Sequence, residues 1–365
     1  MIGHLLELPF VGRLIRENYA VCKRTYANAT RQTGLRPGPV MVSWVATNRC
    51  NANCVYCEAR ANEGSTEELS TEEIKRVLNQ LRRVRTRRFF VIGGEPLMRP
   101  DLFDVLQHAT NLGFRIGIFT NSILARKFEV EISKAGFDNI WTSIDGLKDT
   151  NNRYRRHPLA FELTLDALRF YADIRIPTRV VNTVVHPENF SELPELFAEL
   201  REAGMNWWRL GTVMPVGRAR NQNFSLTADQ MNKLFRFASR LRRDFRVTIS
   251  EEMGYLGCWE DKLHDSPFFC HAGLTFCAIM PDGHVVPCQT DHSSRFSQGN
   301  VRKRPFASIW REGFQDFRKV QLKGSCQSCE FRRACSGGCW IGRVGEAQCV
   351  KTMFYPPLSQ HRESI

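Results

Sequence analysis

The sequence predicts an α/β protein: a partial (β/α)6 TIM-like barrel followed by a C-terminal cysteine-rich domain. Two patterns carry this reading. Between Val40 and Arg243, six short β-rich apolar runs alternate with stretches of helical periodicity, which implies a parallel sheet with right-handed crossovers. After about Tyr255 the helical periodicity fades and cysteines dominate, as in a domain organised by metal. The size and composition allow both: 365 residues suffice for a large core or two domains, and 42% hydrophobic with 24% charged residues are globular proportions.

Residues 1–38 form an N-terminal extension in which Leu5, Leu6, Leu8, Phe10, Val11, Leu14 and Ile15 stand among basic residues. Such a stripe marks an amphipathic helix, lying on a membrane surface or docked on its own domain; docking is favoured. Cys22, with no cysteine nearby, reads as a buried thiol. The barrel occupies residues 39–250, and its first strand is Val40–Thr47. Ser70-Thr71-Glu72-Glu73 has the residues of a capping box and starts a helix. Further strands are expected at Phe89–Ile92, Arg115–Phe119, Ile140–Ile144, Thr178–Val184 and Trp207–Val213. Helices are expected from about Asp101, after Ser122, from Ala160 to Ala172, from Ser191 to Ala203 and near Thr227–Arg243. In full barrels the strand C-terminal ends carry the chemistry, so the residues following each strand are the site candidates. The second domain spans 251–355, and a polar tail occupies 356–365.

The formal net charge is +13. A basic surface favours anionic partners: acidic peptide segments, acidic electron carriers, nucleic acid or membrane. The run Arg82-Arg83-Val84-Arg85-Thr86-Arg87-Arg88 reads as a solvated helix end. Few aromatics interleave there and no RNA-binding module is evident, so nucleic-acid binding is not expected. No stretch of about eighteen apolar residues exists, so no transmembrane segment is expected. The N-terminus lacks the basic region and unbroken apolar core of a secretory signal. Thirteen closely spaced cysteines in a chain without that signal point to metal rather than disulfides, and to the cytoplasm.

Cys50-Asn51-Ala52-Asn53-Cys54-Val55-Tyr56-Cys57 follows the first strand directly. Three thiolates in one tight loop can hold three irons of a [4Fe–4S] cube and leave the fourth open, or form a structural zinc or iron–sulfur knot. This C-x3-C-x2-C spacing, with Tyr56 as the aromatic before the last cysteine, resembles the radical S-adenosylmethionine (SAM) superfamily. Gly93-Gly94-Glu95-Pro96 after the second strand strengthens the likeness. The resemblance implies that this segment meets the amino group of SAM's methionine moiety, with Glu95 a charge partner of the region. It implies that Ser143 and Asp145, two residues apart and so on one side of an extended chain, contact the ribose and carboxylate of SAM. Thr120-Asn121-Ser122 and Asn182-Thr183 end other strands and line the same cavity in this reading, and the edge at Arg209-Leu210-Gly211 and Pro215-Val216-Gly217-Arg218 cradles the adenine. The chemistry implied is one-electron cleavage of SAM to a 5′-deoxyadenosyl radical that abstracts a substrate hydrogen. No residue stands out as a catalytic acid or base.

The later cysteines are Cys258, Cys270, Cys277, Cys288, Cys326, Cys329, Cys335, Cys339 and Cys349. Their spacing resembles the SPASM domain, with Pro281-Asp282-Gly283 as the hairpin turn before Cys288. Four zinc ligands would leave cysteines over. The resemblance implies two auxiliary [4Fe–4S] clusters. One takes Cys326, Cys329, Cys335 and Cys349. The other takes Cys270, Cys288 and Cys339, with Cys277 or Cys258 as fourth ligand, or with an open iron if both are buried thiols. In sulfatase-maturing members an aspartate follows the cysteine matching Cys288. Gln289 stands there instead, with Asp291 and His292 close behind, which lowers that reading.

The first expectation is a maturase that oxidises or cross-links a ribosomal peptide or protein, reduced by a partner such as ferredoxin or flavodoxin. A small-molecule alternative is side-chain modification of a tetrapyrrole, as in the haem d1 and alternative haem branches, which Arg36-Pro37-Gly38-Pro39 mildly resembles. An iron–sulfur scaffold without SAM chemistry is the non-enzyme alternative, and the intact Gly93–Pro96 and Ser143–Asp145 segments oppose it.

Overall fold

The computed structural model describes residues 9–64, 67–220, 222–290, 295–343 and 349; the side chains of residues 9–17, 342 and 343 lie outside that description. All six expected strands form: β1 (Met41–Val45), β2 (Arg88–Ile92), β3 (Arg115–Phe119), β4 (Asn139–Ser143), β5 (Thr178–Val185) and β6 (Trp207–Thr212). They pair in parallel, each with the next. The helices between them include α2 (Thr71–Arg83), α3 (Leu102–Asn111), α4 (Glu129–Lys134), α5 (Lys148–Arg155), α6 (Ala160–Asp173) and α7 (Leu193–Glu202), and α8 (Ala228–Leu241) follows β6. The capping box at Ser70 is complete: its hydroxyl accepts from Glu73 N–H at 3.3 Å, and Glu73 accepts from Ser70 N–H at 2.8 Å.

Alternation along the strands builds two layers. Val42, Trp44, Phe89 and Val91 face the helices in the main core. Val45, Ile92, Ala278, Met280 and Val286 form a smaller cluster on the other face. Burial on both faces is why these strands read as near-continuous apolar runs.

Three further strands extend the sheet. A three-residue β7 (Val247–Ile249) pairs with β6. Beyond β1 come β8 (Phe276–Ile279), parallel to it, and β9 (Val285–Val286), antiparallel to β8. The sheet order is therefore β7-β6-β5-β4-β3-β2-β1-β8-β9. The cysteine-rich region thus donates a hairpin to the barrel's own sheet and covers the edge of β1, which would otherwise offer unpaired backbone groups. The turn is the expected one, with Gly283 at φ +88°.

Two cysteine readings meet the structure here. Cys277 is the second residue of β8, opposite Val42, and is fully buried in the main core. Burial pushes its thiol well up, and the charge it feels is Arg318, not another cysteine. Its side chain packs in the main core, against which Cys270, Cys288 and Cys339 are also packed. Cys22 is exposed, not buried. It stands on α1 (Pro9–Gln32), which docks through Ala20 and Ala27 against Phe269 and Leu274. Arg24 also donates to the Phe317 carbonyl at 3.0 Å. The docked half of α1 is intramolecular, as favoured; Leu5, Leu6 and Leu8, the side chains of Phe10, Val11, Leu14 and Ile15, and the tail at 356–365 lie outside the described residues. Among the described residues no helix is long and apolar enough to cross a membrane.

Candidate active site

The loop after β1 is held from several directions. Cys50 N–H donates to the Asn62 side chain at 2.8 Å, and Asn62 donates back to the Cys50 carbonyl at 2.9 Å. Val55 N–H reaches the Tyr154 carbonyl at the end of α5, at 2.9 Å. Arg218, in the segment after β6, donates to the carbonyls of Cys54 (3.0 Å) and Ala61 and pairs with Glu63. Gly217 has φ +59°, and a Cβ there would lie 2.4 Å from the carbonyl oxygens of both Cys57 and Glu58. The Pro215–Arg218 segment, read from sequence as an adenine cradle, clamps the cysteine loop.

The loop brings Cys50, Cys54 and Cys57 together, and each sulfur is offered donors or neighbouring charge. Cys50 Sγ accepts from Ala52 N–H at 3.4 Å and Asn121 Nδ2 at 3.7 Å; Cys54 Sγ accepts from Arg155 Nη1 at 3.7 Å. Burial pushes the Cys50 thiol up to about 12, helped by Glu95 and by the other two cysteines. Burial likewise raises Cys57, against a donor at Ala61 and the Arg218 charge. Three soft, mutually repelling sulfurs with N–H and guanidinium donors around them fit an iron–sulfur cube, whose thiolates such donors stabilise.

A cavity of about 330 Å³ opens on this loop at the C-terminal ends of β2 to β6, within the range of ligand sites. Tyr56, Gly93, Gly94 and Ser143 line it, as do Thr120, Asn121, Asn182 and Thr183. The two glycines have a second reason to be there. A Cβ at Gly93 would lie 2.7 Å from the Thr47 carbonyl oxygen, and one at Gly94 would lie 2.4 Å from that of Arg49. These neighbours lie in the short segment between β1 and Cys50.

Two predicted contact residues act differently. Glu95 is fully buried, and its oxygens accept from Leu97 N–H (3.0 Å), the Thr120 hydroxyl (2.7 Å) and Asn121 N–H (2.7 Å). Both oxygens are occupied in tying the end of β2 to the end of β3, and burial pushes the carboxyl up to about 7. Pro96 is buried beside it as the first residue of a short 3-10 turn. Asp145 is also fully buried. Its carboxylate accepts from the Tyr56 hydroxyl (2.6 Å), Val184 N–H (2.7 Å) and the Arg155 guanidinium. All three of these partners, Tyr56, Val184 and Arg155, line the cavity. Burial and Asp145 together raise the Tyr56 phenol well above its usual range. Arg155 was not singled out from sequence: in Arg153-Tyr154-Arg155-Arg156 nothing local marks which arginine turns inward.

The later cysteines gather in two sets. A hydrogen bond with the Cys270 thiol, and then burial, raise the Cys339 thiol, and burial and Cys270 raise Cys288. Cys335 and Cys326 are likewise raised by burial and by Cys329 and Cys349. Cys258 is exposed and lies near Tyr255. Among the described residues no three His, Cys, Asp or Glu groups converge as the ligands of a single metal ion do. Gln289 links one set to the cavity. It lines the cavity, accepts from Ser43 Oγ at 3.2 Å, and lies 3.6 Å from Cys288 Sγ. Asp291 and His292 lie outside the described residues.

Two family profiles match the chain: the Radical SAM superfamily over residues 44–200, and SPASM, an iron–sulfur cluster-binding domain, over residues 270–330. The AdoMet-dependent heme synthase of Methanosarcina barkeri is 28% identical over 322 residues, covering 82% of this chain and 90% of the relative. The mycofactocin maturase MftC of Mycolicibacterium smegmatis is 25% identical over 339 residues, covering 89% and 86%. In fold, the chain is similar to Streptococcus suis SuiB bound to S-adenosylmethionine: TM-score 0.72, 17% identity, covering 87% of this chain and 77% of that one. SuiB has also been solved with its precursor peptide SuiA.

Proposed function

Because this chain belongs to the radical SAM superfamily and carries a SPASM domain, we propose that it oxidises or cross-links a ribosomal peptide or protein side chain. The carrying observation is Gln289, which joins the cavity wall to Cys288 of the Cys270–Cys288–Cys339 set. In this reading Cys50, Cys54 and Cys57 hold the SAM-binding cube, Cys270, Cys288 and Cys339 one auxiliary cluster, and Cys326, Cys329, Cys335 and Cys349 another. When bound, these groups supply reductive cleavage of SAM to a 5′-deoxyadenosyl radical and an electron sink beside the substrate. The chain's own part is to position and exclude water. Arg155 and Asn121 stabilise the thiolates, Asp145 fixes Tyr56 and Arg155 in the cavity wall, and Glu95 fixes the strand ends beneath it. The thiol-rich chain suits a reducing, cytoplasmic setting with an acidic electron donor such as ferredoxin or flavodoxin, drawn by the +13 charge.

A peptide substrate is supported by that charge, which steers acidic segments, and by the likeness to a maturase. The heme synthase likeness supports a second reading, a tetrapyrrole side chain. Anaerobic turnover with candidate precursor peptides and with a didecarboxysirohaem-type tetrapyrrole distinguishes them by product mass. Loss of two hydrogens from a peptide is expected; turnover of the tetrapyrrole alone, with no peptide modified in a host extract, overturns the peptide reading.

Iron analysis tests the cysteine sets. Reconstituted protein is expected to hold about twelve irons, three cubes of four. Cys277→Ala is expected to keep them all, while Cys288→Ala loses about four. A loss in the Cys277 variant equal to that in the Cys288 variant would return Cys277 to the ligand set.

A further inference from the structure

A second cavity, of about 300 Å³, lies at the other end of the barrel. Val40, Met41, Arg88 and Phe276, at the N-terminal ends of β1, β2 and β8, form one side of it, and α1 forms another. The length of β1 separates it from the active-site cavity, roughly 15 Å at the rise of a strand.

Its charge is one-sided. Lys23, Arg31, Arg36 and Arg88 line it, and among the described residues no aspartate or glutamate does. His271 also lines it, with its ring Nδ1 2.6 Å from the Thr275 hydroxyl. Beside it lies a fifth cation, Arg318, which is only 2% exposed. Its guanidinium donates to the backbone carbonyls of Gly273, Arg311, Gly313 and Trp310. Burial, and then the charge of Arg31, pull it down to about 10.

Exposed arginines alone would be a solvated rim. The orphaned donors argue otherwise. Arg31 Nε and Trp310 Nε1 are both buried without a hydrogen-bond partner, and both residues line the cavity. Trp310 is 1% exposed. A buried donor left unmade is costly, and two of them, among cations with no carboxylate among the described lining residues, call for oxygen acceptors with negative charge. The rest of the wall is apolar or aromatic, with Tyr26, Phe269 and Leu274.

We propose that this cavity binds an organic oxyanion, a carboxylate or phosphate on an apolar or aromatic body. Arg31 and Trp310 donate to its oxygens, Lys23, Arg36 and Arg88 balance its charge, and Tyr26, Phe269 and Leu274 hold the body. The site is independent of the radical chemistry at the other end of the barrel.

The test is calorimetric titration of the anaerobically reconstituted full chain with phenyl phosphate, phenylacetate and neutral benzyl alcohol. At least one anion is expected to bind once per chain, at least tenfold tighter than benzyl alcohol. Arg31→Gln or Arg88→Gln is expected to weaken it at least tenfold. Arg88 is exposed, so R88Q is expected to fold and to cleave SAM as the parent does. Preference for phenyl phosphate identifies a phosphoryl ligand, and preference for phenylacetate a carboxylate. Equal binding of benzyl alcohol, no binding of either anion, or anion binding unchanged in both variants overturns the proposal.

Discussion

Replacing Cys50, Cys54 and Cys57 with alanine is expected to bring 5′-deoxyadenosine formation to background in an anaerobic assay with SAM and dithionite. The three thiols share one loop, and that loop is held by Asn62, Arg218 and the end of α5 rather than by the cysteines. The variant should therefore fold while losing about four irons. The contrasting variant replaces Cys326 and Cys329. Their set is separate from the cavity wall, so SAM cleavage is expected to continue, uncoupled, while substrate product disappears. SAM cleavage at the parent rate in the triple alanine variant would refute the assignment of the first loop. An unchanged product yield in the Cys326/Cys329 variant would refute the role of the second auxiliary set.

Asp145→Ala is expected to be the most disruptive single substitution outside the cysteines. Asp145 is fully buried and Arg155 is 12% exposed. Removing one partner of such a pair leaves a buried charge uncompensated, which costs about 3–5 kcal/mol. Val184 N–H and the Tyr56 hydroxyl lose their acceptor as well. The urea midpoint of the cluster-free protein should fall accordingly with an unchanged slope. Asp145→Ala combined with Arg155→Met should recover part of the loss, because no charge is then stranded. The double variant should still bind SAM poorly, since Tyr56 has lost its anchor and the guanidinium of Arg155 is gone from the cavity wall. A single-variant loss within about 0.5 kcal/mol, the range of an ordinary surface change, would mean that the pair is solvated and that Asp145 does not organise the site.

The sequence by itself determined what depends on near neighbours. Period and composition located six strands and their order, because burial on both faces of a parallel sheet leaves continuous apolar runs. Short spacing put Cys50, Cys54 and Cys57 in one loop, since a chain of eight residues cannot carry them far apart. The Asp282-Gly283 turn was legible because a positive φ favours glycine there. Tertiary structure decided everything that depends on which face a residue shows and which distant segment meets it. Cys277 and Cys288 are equally cysteines in a cysteine-rich stretch, but one residue of strand register turns a side chain from one face to the other, and β8 turns Cys277 into the core. Glu95 and Asp145 sit at strand ends as expected, yet they point at backbone N–H groups and side chains that arrive from β3, α5 and β5. Arg155 and Arg218 act on a loop roughly a hundred or more positions earlier in the chain. No local pattern records such meetings. They arise because a buried polar group must find its partner wherever the fold brings one within reach.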